Sequence, residues 1–434
     1  MDALHPPGAP AAATTFSVIR RNWMLAILTL VGICSTTDRA IIGTVLELIK
    51  RDFSLSDAQL GFVAGLAFAI AHAIVAVPAG ALADRVSRRK VIAASLAVWS
   101  VMTALCGAAQ NFVHLFLARA GVGAGEAGGQ AATLSSVSDL FPPERRATAI
   151  SIFYLSSPIG TMLAGAVGGL IAAAYGWRVA MAAAAAPGFI LCIVLLFFRD
   201  VPREPMTRAQ QATAAPSFGD VLRFIRSQRA LIHLFVGVAL ITLVMSGAGS
   251  FAYVFFMRYH HMNLRELGPI IGVTSGVVGI AMMLSSGLLA DWLGKHDPRM
   301  RLWVIVVVLV AITPLVLLGF LLPQPFALPL YLTHILINGV WMGPAFATAQ
   351  NLTHPRMRST VAAIMYVVNG FIGFGLGPVI VGNMSDYLST AFGDQGLRIS
   401  MMLATALAFW AAAHFAMATR SLKADLARAQ DASS

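Results

Sequence analysis

The chain has 434 residues, 58% of them hydrophobic and only 11% charged, and its mean hydropathy is +0.78. Soluble domains carry about 25% charged residues, so a chain this apolar belongs in a bilayer rather than in water. The formal charge of +11 raises nucleic acid as a partner, but the placement of the basic residues, given below, argues against it.

The N-terminal stretch "MDALHPPGAPAAATTF" has no basic start and no cleavable apolar core, so it reads as a short arm and not as a signal peptide. A membrane helix needs about 20 apolar residues. Runs of that length are centred near Leu30, Ala71, Ala97, Ala127, Leu163, Gly188, Leu243, Gly279, Leu309, Gly339, Gly373 and Leu407. They predict an all-α membrane protein with twelve spans. The runs are too long and too uniformly apolar for the alternation of a barrel. The longest polar interval, near 199–229, divides the spans six and six. The expected organisation is a cytoplasmic arm over 1–22, a six-helix bundle over 23–198, a linker over 199–229, a second bundle over 230–420 and a tail over 421–434. The end of the linker, "FGDVLRFIRSQR", has the pattern of a basic amphipathic helix, although a plain connector reads as well.

The first span contains "ICSTTDRAII", with Asp38 and Arg39 side by side. A charge at the centre of a membrane helix costs roughly 2.5–3.5 kcal/mol on insertion scales, so this pair needs a use. The loop after the second span reads "GALADRVSRRK" (Gly80, Asp84, Arg85, Arg88 and Arg89 among its residues), and the loop after the eighth reads "GLLADWLGK", with Asp291. Two copies of Gly-x-Leu-Ala-Asp half a chain apart indicate a duplicated six-span unit. The fourth span carries Arg119 and Glu126. With the N-terminus inside, most of the 30 Lys and Arg residues fall on inner segments, whereas Lys50, Arg51, Arg178, Arg258, Arg265 and Arg398 fall outside. This asymmetry places both termini in the cytoplasm of a cell with the chain in its inner (plasma) membrane, and makes the basic charge a topology signal.

The two loops resemble the signature loop of the major facilitator superfamily, with Ser87 where that family usually has Gly and no Arg after Asp291. The resemblance covers nearly the whole chain. It implies two six-helix bundles rocking about a central cavity, with Gly80, Asp84, Arg85, Arg88, Arg89 and Asp291 as a gating motif. The fourth-span stretch "ARAGVGAGEAGGQAATLSSVSDLFPPERRATAISIFY" is similar to the Spinster branch of that superfamily, which also carries an Asp-Arg pair in its first span. Here "GEAGG" replaces the more usual "GEASY". Spinster-like proteins of animals move lysophospholipids and sphingoid lipids, so the resemblance implies an amphipathic, lipid-like solute.

A rise of 1.5 Å per residue places Asp38 and Arg39 about 23–24 Å into the first span and Glu126 about 21 Å into the fourth. Arg119 and Glu126 are seven apart and share a helix face. The four charges sum to zero and are expected to face a cavity and pair. Adjacent residues diverge by about 100° on a helix, so Asp38–Arg119 with Arg39–Glu126 is one pairing, and others remain open. They can form a purely structural network between two helices or a proton and substrate switch. In the second case Glu126 titrates and Arg39 gates it, since Arg keeps its proton and its planar fork fits an anionic head group.

Tyr154, Asn338, Trp341, Tyr366 and Asn369 are weaker cavity-lining candidates. His72, His233, His334 and His414 read chiefly as packing residues. "SSPIG" at 156–160 and "GFGLGPVIVG" at 373–382 occupy corresponding spans and suit a bending seam or close packing. Neither a phosphate-cradling loop nor a nucleophile with its base nor metal-ligand spacing is visible, so an ATP-driven pump, an enzyme, a metal site and a cofactor are not expected. The expected function is secondary active transport by a monomer, coupled to protons, of an amphipathic and anionic small molecule or lipid. A multidrug–proton antiporter, an organic-anion symporter and a non-transporting receptor are the alternatives.

Overall fold

A computed structural model of the chain describes residues 17–198, 200, 218–354 and 357–431. Among these residues it is helical nearly throughout. Helix α1 (Val18–Phe53) begins where the Ser17 hydroxyl accepts the Arg20 N–H, and ends at Ser54, whose φ of 53° turns the chain out of the helix. The start lies five residues before the expected Trp23, because the polar turn "VIRRN" can run as helix ahead of the apolar core. Helix α2 (57–85) opens with a capping box formed by Ser56 and Gln59. It is followed by α3 (Arg88–Gly107), α4 (Phe112–Leu140), α5 (143–175) and α6 (Trp177–Phe197).

A short helix α7 (Phe218–Ser227) ends the polar linker. It buries Val221 and Ile225 and leaves Arg223 and Arg226 exposed, which is the amphipathic pattern read from the sequence. The second half comprises α8 (229–259), α9 (Leu264–Gly294), α10 (Met300–Leu321), α11 (327–352), α12 (358–392) and α13 (Gly396–Asp431). Helix α13 continues past the expected end at 420 because its last, charged turns run on beyond the apolar stretch. The helical stretches agree with twelve passes in two six-helix halves, α1–α6 and α8–α13. Even numbers of passes bring the chain ends and α7 to one side, the terminal side; the opposite side is the far side.

The halves meet along three seams. Helix α2 lies on α12, α5 on α9 and α1 on α8. Small residues set the separation. A Cβ added at Gly65 would come within 2.6 Å of the Gly375 carbonyl oxygen, and one at Gly165 within 2.7 Å of the Gly272 Cα. Three seam stretches, Phe62–Leu66, Ala164–Gly168 and Val368–Leu376, are wound as π-helix, a wider turn that shifts backbone carbonyls out of the regular ladder. One apolar core runs from α1–α6 across the far side into Phe251–Phe256 and Leu264–Ile271, while a second core stays within the C-terminal half. The halves are therefore welded on the far side. In the C-terminal half, Gly249, Gly343 and Gly370 border open space, with nothing within 4 Å of where a Cβ would stand.

Candidate functional site

The four intramembrane charges do converge, but they split into an exposed pair and a sealed pair. Arg39 on α1 and Glu126 on α4 form an ion pair, Nε to Oε2 at 3.2 Å. The Arg39 side chain is 37% exposed and Glu126 only 3%. Arg39 is thus the accessible member of the pair, and Glu126 lies just behind it. A second donation from Arg39 Nη2 reaches Ser35 Oγ at 3.1 Å, one helical turn away. The other Glu126 oxygen, Oε1, is buried without a protein partner.

Asp38 and Arg119 lie deeper in the N-terminal half, each 1% exposed. They touch, though not as carboxylate and guanidinium. Arg119 Nη1 donates to the backbone carbonyl of Asp38 at 3.2 Å, and its Nε reaches the Val63 carbonyl at 3.4 Å. Val63 sits in the π-helical stretch of α2, so the wider turn offers an acceptor that a regular helix would keep for itself. The Asp38 carboxylate instead accepts from Thr103 Oγ1 on α3 at 3.2 Å, and its Oδ1 is buried without a protein partner. The 100° divergence of neighbouring residues is visible directly: Arg39 points to α4, Asp38 to α3.

Phe68 of α2 joins the two layers. Its ring centroid lies 5.7 Å from the Arg39 guanidinium carbon and 5.7 Å from that of Arg119, and His72 stacks on it at 5.4 Å. An aromatic face shared by two cations separates like charges while favouring both. The close approach of α2 to α4 requires Gly123, where a Cβ would strike the Phe68 backbone.

The weaker candidates fall into two groups. Tyr154 on α5 and Tyr366 on α12 meet across the halves, hydroxyl to hydroxyl at 3.2 Å. Asn338 is exposed. Asn369 and Trp341 are buried in the C-terminal half; Asn369 accepts from Thr242 at 2.6 Å, and the Trp341 indole N–H has no protein partner. His233 and His414 pair with each other at 3.1 Å, and His334 sits 2.8 Å from the Tyr331 carbonyl, all away from the charge cluster. In the loop motif, Arg88 pairs with Asp139 at the end of α4, and Arg89 bonds the Leu196 and Phe198 carbonyls at the end of α6. Both contacts stay inside the N-terminal half. The side chains of Asp84, Arg85 and Asp291, and the surroundings of Gly80, lie outside the described residues. Among the described residues no group of three or more His, Cys, Asp or Glu is placed to hold a metal ion.

Sequence reasoning missed Thr103, Phe68 and Ser35. Nothing in their local sequence marks them, since an apolar span contains many such residues and only the fold selects these.

Known proteins carry the same architecture. The family model of the Major Facilitator Superfamily matches residues 28–378. An MFS-type efflux pump of Mycolicibacterium smegmatis is 31% identical over 390 residues, covering 89% of this chain and 90% of that protein. Protein spinster homolog 3 of Danio rerio is 25% identical over 416 residues, covering 90% and 82%. The crystal structure of a bacterial homologue of the human lysosomal transporter Spinster, inward-facing and unoccupied, superposes with a TM-score of 0.83 at 26% identity, covering 94% of this chain and 99% of that one. The charge pair in α1, the α4 motif that meets it and the whole-chain likeness together assign this chain to the Major Facilitator Superfamily, in its Spinster-like branch, as a membrane transporter and not an enzyme.

Proposed function

We propose that the protein is a proton-coupled carrier of an amphipathic, anionic, lipid-like solute, with Arg39 holding the head group and Glu126 carrying the coupling proton. The single observation behind this reading is the Arg39–Glu126 pair, with its cation exposed and its carboxylate buried, set toward the central space that the two-half fold of the family implies. Arg39 offers its fork to that space, while Glu126 is buried with one oxygen unpartnered. An anionic head group competes with Glu126 for Arg39. When Arg39 turns to the head group, Glu126 is left in a low-polarity pocket and takes up a proton, because a lone buried carboxylate is costly. Binding and protonation are thereby coupled through one guanidinium. In the N-terminal half, Asp38 and Arg119 hold the backbone that carries the pair. The tail of the solute fits the apolar walls of the central space, with Tyr154, Tyr366 and Asn338 as polar contacts.

In the same reading both chain ends are cytoplasmic, the chain works as a monomer in the inner (plasma) membrane, and the terminal side is the cytoplasmic side. The described conformation is closed on the far side and so faces inward. That agrees with its likeness to inward-facing Spinster homologues, unoccupied and occupied. The loop motif then guards the cytoplasmic mouth, with Arg88 and Arg89 bracing the N-terminal half.

One observation favours a second reading. The M. smegmatis relative is an MFS-type efflux pump, and a drug–proton antiporter would use the same buried carboxylates to bind a cation. Flux in sealed proteoliposomes separates the readings. A lysophospholipid accumulated under a pH gradient, with ethidium ignored, supports the lipid-like solute. Ethidium antiport without lysophospholipid movement overturns it. Flux of either probe that ignores the gradient removes proton coupling.

A further inference from the structure

A second cluster of charges, away from the central site, lies on the far side where the halves touch. Arg258, near the end of α8, reaches two helices of the other half. Its Nε donates to Glu47 of α1 at 2.8 Å, and its two terminal nitrogens grip Asp57 at the start of α2, at 2.9 and 3.0 Å. Asp57 also accepts from Ser385 Oγ of α12 at 2.6 Å. In return, the carboxylate of Asp386 on α12 accepts the backbone N–H groups of Asp57 and Ala58 at 3.0 and 2.8 Å, capping the first turn of α2 from the opposite half. Glu47 and Asp57 are 5% and 3% exposed. Every carboxylate that Arg258 meets belongs to the other half.

The second partners of these carboxylates are asymmetric. Asp57 also pairs with Lys50 at 2.6 Å, and Glu47 also pairs with Arg51 at 3.1 Å. Both cations sit on α1, in the same half as the acids they hold. We propose that Arg258 is a positioning residue of the transport cycle, an ion lock that holds the far side shut, and that Lys50 and Arg51 are the partners that let this lock open. When the halves part on the far side, Glu47 and Asp57 lose Arg258 but keep a cation each. No buried carboxylate is stranded. A carboxylate stripped of its one partner in a buried site is strongly destabilising, so without Lys50 and Arg51 the opened state would be hard to reach.

This gives opposite effects to two removals of one positive charge from one cluster. Arg258→Met weakens only the state closed on the far side, so the far-side-open population rises. Lys50→Met weakens mainly the open state, since the closed state keeps the Arg258 grip on Asp57, so the open population falls. A cluster that serves folding alone would move both variants the same way. The reporter is Gly43→Cys on α1: a Cβ there lies 3.6 Å from the Ser250 carbonyl oxygen of α8, inside the far-side seam and free of overlap. Its rate of reaction with a membrane-impermeant methanethiosulfonate in intact cells, normalised to monodisperse purified protein, tracks far-side opening. A parallel Ser217→Cys control reports whether the reagent is excluded from the linker side. Couplings of this kind are worth about 5–150-fold. About a tenfold rise is expected for Arg258→Met and about a tenfold fall for Lys50→Met. Arg258→Lys should lie between wild type and Met, because a single ammonium cannot span both carboxylates. Rates that shift in the same direction in the Arg258 and Lys50 variants, or that stay at the wild-type value in both, overturn the lock. Its failure leaves the central site untouched, since neither variant alters the groups around Glu126.

Discussion

Asp38 and Arg39 are sequence neighbours with different surroundings, and the roles proposed for them rest on that difference. Arg39 is accessible and holds Glu126 at 3.2 Å, whereas Asp38 is sealed behind it against Thr103. Replacing Glu126 by Gln fixes the neutral form. The expected outcome is retained exchange of a lysophospholipid across proteoliposomes with loss of its accumulation under a pH gradient, because proton binding no longer distinguishes the two states. Normal gradient-driven accumulation in the Gln variant would exclude Glu126 and move attention to Asp38. Arg39→Ala leaves Glu126 buried without its cation, and lysophospholipid affinity should fall at least about tenfold, the scale of one charge-assisted hydrogen bond of roughly 1.5–3 kcal/mol. Arg39→Lys keeps the charge and loses the fork; full binding by the Lys variant would reduce the role to charge balance. Thr103→Val tests the sealed layer. It removes a donor to a buried carboxylate and should cost about 1–3 kcal/mol of stability, read as a lower unfolding temperature in detergent with the pH profile of transport unmoved. The residues carrying charge were legible in the sequence because a charge in an apolar span stands out against its cost. Arg39–Glu126 was one of the pairings left open; the uncharged partners were not legible. The Arg119 contact with the Val63 carbonyl depends on a π-helical turn, and Phe68 is one of 25 phenylalanines.

At the scale of the helices, the seams are built from glycine, and their positions decide what a substitution breaks. Gly65 faces Gly375 across the halves, and Gly107 faces the Arg178 carbonyl within the N-terminal half, where a Cβ would come to 2.7 Å. Both sites are overpacked by a single methyl, a class of change that costs about 1–3 kcal/mol. The cost is spent differently. Gly107→Ala strains α3 against α6 and should lower thermal stability. Gly65→Ala strains α2 against α12, and the halves can relieve it by parting, so stability should hold while the far-side labelling rate of Gly43→Cys rises. Equal losses of stability in the two variants, with unchanged labelling, would show that the seam is rigid. The element order was readable from apolar run length, since each span must cover the hydrocarbon core. So was the repeat, because the two Gly-x-Leu-Ala-Asp stretches stand in equivalent places, although they belong to the ends of helices α2 and α9 and not to the expected loops. The π-helical stretches were not readable: they arise where α2, α5 and α12 are pressed against the other half, and local sequence does not encode that pressure.

For the molecule as a whole, the two sides are closed unequally, and the placement of the basic residues supports the proposed orientation of those sides. The described state shares a core and a charge lock across the far side, while open space borders glycines of the C-terminal half. Arg20, Arg21, Arg88, Arg89, Arg145, Arg146, Arg223, Arg226 and Arg229 all lie on the terminal side, together with the linker. Under the orientation proposed above, which follows the preference of basic loops for the cytoplasm, the terminal side is the inner one. A cysteine at position 217, in the linker, should therefore resist a membrane-impermeant maleimide in intact cells and react after permeabilisation. A cysteine at Ser54, exposed in the far-side turn between α1 and α2, should react in intact cells. The two sites are separated by an odd number of spans under the twelve-pass fold, so the outcomes must be opposite. Reaction at 217 with protection at 54 would invert the orientation, turn the described conformation into one that faces outward and make the Arg258 lock a cytoplasmic device. Reaction at both sites in sealed cells would break the pass count between them, and with it the two-half symmetry that places Arg39 and Glu126 at the centre.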